Sequence, residues 1–234
     1  MPRVTIARHI LAANEEVAAE VRQRLAAAGV RCINLMSGPG AGKTTLLERS
    51  VARLRGRLAI GVIEGDIETS LDAERMEAAG AQVVQINTRG ACHLEAQMVR
   101  DALEALDLQR LDLLFIENIG NLVCPAAWDL GEDLRVVVVC TTEGDEKPAK
   151  YPQIFAAAQV LVLNKLDLLP YVDYDPERVR AQALAVNPGL QIFALSCRSG
   201  EGLDTWCDWL LAFAGKSSGA AVSEAPHTMG GAVS

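Results

Sequence analysis

Apolar residues fall into seven short runs, many of them β-branched, at positions 31–36, 57–64, 81–86, 111–118, 133–140, 158–164 and 190–195. Most are separated by stretches in which apolar residues recur at helical spacing, the alternation expected of βαβ units. The runs are continuous rather than alternating, which marks strands covered on both faces, and the crossovers are long enough for parallel neighbours. The predicted fold class is therefore α/β, a doubly wound and mainly parallel sheet. From Asn14, the stretch NEEVAAEVRQRLAAAG offers an N-cap, helical periodicity and a glycine stop, predicting a helix ahead of the first strand. A last helix is predicted at GLDTWCDWLLAFAG, where Trp206, Trp209, Leu210 and Phe213 form a stripe expected to pack into the core. Residues 216–234 are small, polar and aperiodic; they predict a disordered tail in which His227 stands alone. The expected organisation is an N-terminal helical extension at 1–30, one compact domain at 31–215 and the tail at 216–234.

Composition narrows the partners. With 234 residues, half of them apolar, the chain can bury a full core as one domain. A net charge of −8 argues against an electrostatic grip on nucleic acid or anionic lipid, so neither partner is expected. No apolar stretch approaches the roughly 18 residues of a membrane-spanning helix, and the N-terminal segment turns acidic too early for a signal peptide. A soluble, cytoplasmic protein with reduced thiols is expected. Of its cysteines, Cys32 and Cys140 sit in strand-like runs and Cys207 on the last helix, where packing accounts for them.

Chemistry concentrates first in INLMSGPGAGKTTLLERS, a strand, a glycine-rich turn and a helix. Such a turn aims successive N–H groups at phosphate oxygens, and the helix N-terminus adds its positive dipole end. Gly38, Gly40, Ala41, Gly42, Lys43, Thr44 and Thr45 would form this cradle, with Lys43 on the β- and γ-phosphates and the Thr44 hydroxyl on Mg²⁺. The departure from G-x-x-x-x-G-K-[ST] is Ser37 at the first position.

Asn164-Lys165-Leu166-Asp167 follows a later apolar strand and reads N-K-x-D. A carboxylate at Asp167 can accept from both N1–H and the 2-amino group of guanine, donors that adenine lacks, so the pattern selects GTP. Lys165 would lie along the base and Asn164 brace the loop. Ser196 and Cys197, in SCRSGEGL, read as a further base-contacting loop. Asp66 beyond the second strand and Glu117 at the end of the fourth lie where ligands of open parallel sheets bind, and should face Mg²⁺ and the γ-phosphate. Asp72 is the candidate for orienting the attacking water.

Taken together, GPGAGKTTLLE, VIEGD, GACHLEAQMV, IENIGNLVCPAAWDLGE, TEGDEKPAKYP, NKLD and SCRSGEGL resemble the hydrogenase-maturation GTPases of the HypB family, in order, from about residue 33 to 205. The P-loop and N-K-x-D are shared by many GTPases; ENIGNLVCP with an upstream Cys-His is much narrower. The resemblance implies GTP hydrolysis coupled to nickel delivery to the large subunit of a nickel-iron hydrogenase. It also implies GTP-dependent homodimerisation and an accessory metallochaperone partner. In that family a Cys-His pair and a later cysteine form a nickel or zinc site at the dimer interface, which falls here on Cys92, His93 and Cys124. Some relatives carry a cysteine-rich motif or a histidine-rich tract near the N-terminus. This chain has no cysteine before Cys32 and only His9 there, so a separate N-terminal site and a storage role are not expected.

The chemistry of those three residues suits the assignment, because thiolate and imidazole are ligands for Zn²⁺ and Ni²⁺, and three groups leave a position open for transfer. As neighbours at a predicted helix start, Cys92 and His93 point different ways, so they need not chelate one ion within a chain; a second subunit can complete the set. The helix N-terminus would also lower the thiol pKa of Cys92. Cys124 lies four residues past Gly120, in a loop placed to sense the γ-phosphate, so hydrolysis could move a metal ligand directly. Three rivals remain. The urease accessory GTPases share the P-loop and N-K-x-D but carry Cys-Pro-His. A small-molecule kinase conflicts with N-K-x-D. A metal-sequestering protein would need more cysteines and histidines.

Overall fold

The computed structural model describes residues 6–66, 71–88 and 90–215, with the side chains of 6–9, 66, 71 and 72 outside that description. The predicted tail at 216–234 lies outside it as well.

All seven apolar runs are strands: β1 (Arg31–Ser37), β2 (Ile60–Asp66), β3 (Gln82–Asn87), β4 (Leu113–Gly120), β5 (Leu134–Cys140), β6 (Val160–Asn164) and β7 (Gln191–Ala194). They form one sheet in the order β3-β2-β4-β1-β5-β6-β7, with every pairing parallel. The period of two along a strand sends successive side chains to opposite faces, and both faces are apolar. Ile33 and Leu35 of β1 face one core, Cys32 and Met36 the other. Helices α2 (Lys43–Leu54), α3 (Leu71–Ala79) and α8 (Leu203–Phe213) cover the first face. Trp206 and Leu210 are buried there, with Trp209 and Phe213 packed alongside, as the helical stripe predicts.

The second face carries α1 (Ile6–Ala28) and α4 (Ala96–Ala102) over β2 and β4, then α6 (Pro152–Ala157) and α7 (Pro176–Val186) over β5 and β6. The one-turn helix α5 (Lys147–Lys150) leads into α6. Two helical boundaries differ from expectation. Helix α1 starts at Ile6, so Asn14 is interior rather than an N-cap, and its amide serves other elements. Helix α4 starts at Ala96, not at Cys92; the Cys-His pair stands in the bend before it. No helix among the described residues is long and apolar enough to cross a membrane.

Candidate functional site

The glycine-rich turn leaves the carboxyl end of β1, the central strand flanked by β4 and β5, where open parallel sheets bind ligands. Gly42 stands at φ +98°, a conformation that side chains rarely adopt, and from it α2 begins at Lys43. Lys43 is 8 % exposed, and its ammonium donates to Ser37 Oγ at 2.8 Å. Burial pulls its pKa below the ordinary value, while Glu117 and Glu143 act in the opposite direction. Ser37 therefore takes part in the turn through its hydroxyl, which the glycine of the general pattern lacks. Thr44 Oγ1 donates to Glu117 Oε1 at 2.8 Å, bringing together two of the residues expected around Mg²⁺. The Asp66 and Asp72 side chains lie outside the described residues. Glu64, which the sequence reading passed over, is buried and pairs in register with Glu117 across β2 and β4. The signal was available: Glu64 and Asp66 share strand parity.

The second half of the cleft comes from β6 and the loop after β7. Asn164 Nδ2 donates to Ala41 O at 3.0 Å and Lys165 Nζ to Gly40 O at 2.6 Å, tying the N-K-x-D segment to the glycine turn. Asn164 Oδ1 accepts from Lys165 N at 2.7 Å and Cys197 N at 3.2 Å. Lys165 itself adopts φ +62°, a left-handed conformation of the kind held at constrained sites. Ser196 Oγ donates to Asp167 Oδ1 at 2.5 Å, which orients the carboxylate, and Cys197 is buried, its thiol pushed up to about 11 by that burial. A cavity of about 380 Å³ opens between these segments, lined by Gly42, Thr45, Asn164, Lys165, Asp167 and Cys197. Arg49, Leu168 and Arg198 complete its wall; none stood out from the sequence, although Arg198 immediately follows the Ser196-Cys197 pair.

The third group lies on the other face of the sheet. Cys92 Sγ is 3.0 Å from Cys124 Sγ and 3.5 Å from His93 Nδ1, and one donor atom from each residue lies within 4.8 Å of the others. The adjacent Cys92 and His93 thus do converge within one chain, contrary to the expectation that they diverge. The reason is the bend: without a regular helix at this point, the neighbouring side chains need not splay by about 100°. The expected thiol activation is also reversed. Contact with the Cys124 thiol, followed by burial, holds the Cys92 pKa above the ordinary value. Burial lowers the His93 pKa against the opposing pull of Glu95, so the imidazole is neutral near pH 7.

Cys124 opens a short 3-10 turn, Cys124–Ala127, just past β4. Gly120 at the strand end packs on the glycine loop so closely that an added Cβ would stand 3.0 Å from Pro39 Cα. One short segment therefore runs from phosphate loop to thiol. Asn121 closes it: its Nδ2 donates to Cys92 O at 3.2 Å and its Oδ1 accepts from Val123 N at 2.8 Å. Two further residues escaped the sequence reading here. Trp128 stacks on His93 with ring centroids 4.3 Å apart, and Asn118 Oδ1 accepts from Leu94 N at 3.3 Å.

A glycine turn at a central parallel strand, a buried lysine at the helix start and a bracing N-K-x-D loop define a nucleotide-binding domain of the P-loop class. The family described as CobW/HypB/UreG, nucleotide-binding domain, matches residues 32–194. Hydrogenase maturation factor HypB of Rhizobium leguminosarum bv. viciae is 50 % identical over 207 residues, which are 88 % of this chain and 69 % of the relative. The crystal structure of HypB from Archaeoglobus fulgidus superposes with a TM-score of 0.82 at 38 % identity, covering 87 % of this chain and 100 % of the other. That of HypB from Helicobacter pylori in complex with nickel gives 0.82 at 34 %, covering 88 % and 99 %. The chain belongs to the HypB family of hydrogenase maturation factors.

Proposed function

We propose that this protein is a GTP-hydrolysing nickel carrier that loads nickel during maturation of a nickel-iron hydrogenase. The observation that carries the reading is the convergence of Cys92, His93 and Cys124 on a segment that begins at Gly120, against the phosphate loop. Nucleotide state and metal ligands then share one short piece of backbone. The relative of known structure that was crystallised with nickel, and the maturation factors named above, support the choice of metal and of client.

In this reading residues 31–215 are the GTPase domain and 1–30 its helical extension. The glycine turn and Lys43 hold the phosphates; Asn164, Lys165, Asp167, Ser196 and Cys197 hold the guanine. Thr44, Asp66 and Glu117 would hold Mg²⁺, whose charge offsets that developing on the phosphates. The Thr44 hydroxyl and Glu117 carboxylate are oxygen donors, the kind that cation takes. Asp72 orients the attacking water. Nickel is cargo: Cys92 and Cys124 bind it as thiolates after releasing their protons, and His93 binds as neutral imidazole. Two such sites brought together by GTP would form a homodimer with the ion between them. Hydrolysis then moves the Gly120–Cys124 segment and frees the ion for an accessory metallochaperone or the hydrogenase large subunit, in the cytoplasm. Zinc fits the same ligands and competes.

Nickel and zinc titrations of wild type and Cys124→Ala, with GTP turnover followed in parallel, test this assignment. With GTP bound, wild type should bind close to one ion per pair of chains, Cys124→Ala should lose most of the affinity, and both should hydrolyse GTP. Equal metal binding by the two proteins would overturn it.

A further inference from the structure

Asn14 lies on α1, ahead of residues 32–194 that carry the family match, yet its side chain reaches both loops of the cysteine and histidine cluster. Its Oδ1 accepts from Ala96 N at 2.8 Å, and its Nδ2 donates to Asp129 O at 2.6 Å. Ala96 is the first residue of α4, three positions after His93; Asp129 is five positions after Cys124 and adjoins Trp128. The residue preceding α4, Glu95, offers no side-chain cap, so the free N–H at that helix end is satisfied from α1 instead. Asn14 is 8 % exposed, and Arg22 further along α1 also grips Asp129, its guanidinium 2.8 Å from Oδ2.

One planar amide thus spans the two ligand-bearing loops from behind. Its donor and acceptor sit on a single carbon, so the two backbone groups are held at a nearly fixed separation. Between this bridge and the ligands, the loops touch again through the His93–Trp128 stack and through Asn121. A buried amide that loses one partner leaves a polar group unsatisfied, which opposes any opening of the loops.

We propose that Asn14 is a positioning residue for the metal site: its carboxamide is a strut that sets the spacing of the Cys92–His93 and Cys124 loops. Helix α1 is then part of the metal site and not only a cover for the sheet. The inference rests on the reading that the cluster binds metal.

The test uses the full chain with Asn14→Leu, Asn14→Asp and Cys124→Ala. Nickel and zinc affinities come from competition with a chromophoric chelator, coordination from the thiolate-to-nickel charge-transfer bands, and GDP affinity and thermal melting from parallel assays. Asn14→Leu keeps the volume and removes both hydrogen bonds. Asn14→Asp is isosteric, keeps the acceptor for Ala96 and turns a carboxylate oxygen on the Asp129 carbonyl; it guards against misfolding of the leucine variant. Both should weaken metal binding by about tenfold to a hundredfold, the range for residues that orient ligands. Both should shift the charge-transfer bands, with GDP affinity within about twofold of wild type. Unchanged metal affinity and spectrum in a folded Asn14 variant would overturn the strut, as would loss of metal and GDP binding together. Wild-type metal binding that survives in Cys124→Ala would instead overturn the metal reading beneath it, and the strut with it.

Discussion

The imidazole of His93 lies on the indole of Trp128, ring centroids 4.3 Å apart and planes 23° from parallel. The stack leaves Nδ1 toward Cys92 Sγ and Nε2 toward Glu95, 3.8 Å from Oε1. It fixes which ring nitrogen meets the thiols. Aromatic pairs of this kind contribute roughly 0.5–1.5 kcal/mol. Trp128→Ala should therefore weaken nickel binding by about threefold to tenfold, and Trp128→Phe by less than about twofold, in chelator competition. Nickel should also quench Trp128 fluorescence in the wild type, a change that Trp128→Phe removes.

Lys43 predicts a gain in stability from a loss of function. Its folded pKa lies below 10.5, because burial outweighs the attraction of Glu117 and Glu143. The unfolded chain therefore binds this proton more tightly, and the buried ammonium destabilises the nucleotide-free fold at neutral pH. That cost fades as pH rises through the folded pKa toward 10.5. Lys43→Met should raise the melting temperature of the nucleotide-free protein by about 2–4 °C at pH 7, corresponding to about 1 kcal/mol. The gain should shrink at alkaline pH. Nucleotide binding and GTP turnover should be lost in the same variant.

In the proposed reading Asp167 selects the base. With Ser196 holding one oxygen at 2.5 Å, the carboxylate can accept from guanine N1–H and its 2-amino group. Asp167→Asn presents an amide donor, which suits the 2-carbonyl of xanthine. Hydrogen bonds to charged groups contribute about 1.5–3 kcal/mol, so GDP affinity should fall by about tenfold to a hundredfold and XDP affinity should rise. Competition between labelled GDP and the two nucleotides measures both changes.

Gly120→Ala puts a methyl group 3.0 Å from Pro39 Cα, so the glycine turn must shift by a few tenths of an ångström to admit it. The expected result is a phosphate loop pushed from its place and a loss of GTP-analogue affinity of about tenfold or more. Any nucleotide dependence of metal affinity should vanish, while metal binding without nucleotide persists. Calorimetry in the two nucleotide states reads all three quantities.

The strands were legible because each is a continuous apolar run, and a buried parallel strand needs little else. The P-loop and N-K-x-D segment were legible for a similar reason: each is a short contiguous pattern, and Lys43 bonds Ser37 while Asn164 and Lys165 bond the glycine turn. The shell of the proposed metal site was not. Asn14 meets Ala96 across 82 positions and Asp129 across 115, and nothing local in NEEVAAE marks the residue as anything but a helix start. Trp128 reads as one more apolar residue until the fold lays it on His93. The convergence of Cys92 and His93 escaped for a different reason. Helical spacing in the sequence runs back to Cys92, four residues ahead of the start of α4 at Ala96, and inside a helix neighbours do diverge.

Nucleotide state is proposed to reach the Cys92, His93 and Cys124 site through the Gly120–Cys124 segment. Nickel affinity of the wild type, measured with GDP and with a non-hydrolysable GTP analogue while molecular mass is followed, tests it most directly. At least a fivefold difference between the two states is expected, about 1 kcal/mol of coupling, with tighter binding and dimer formation in the analogue. Equal affinities in a protein that binds both nucleotides would contradict it.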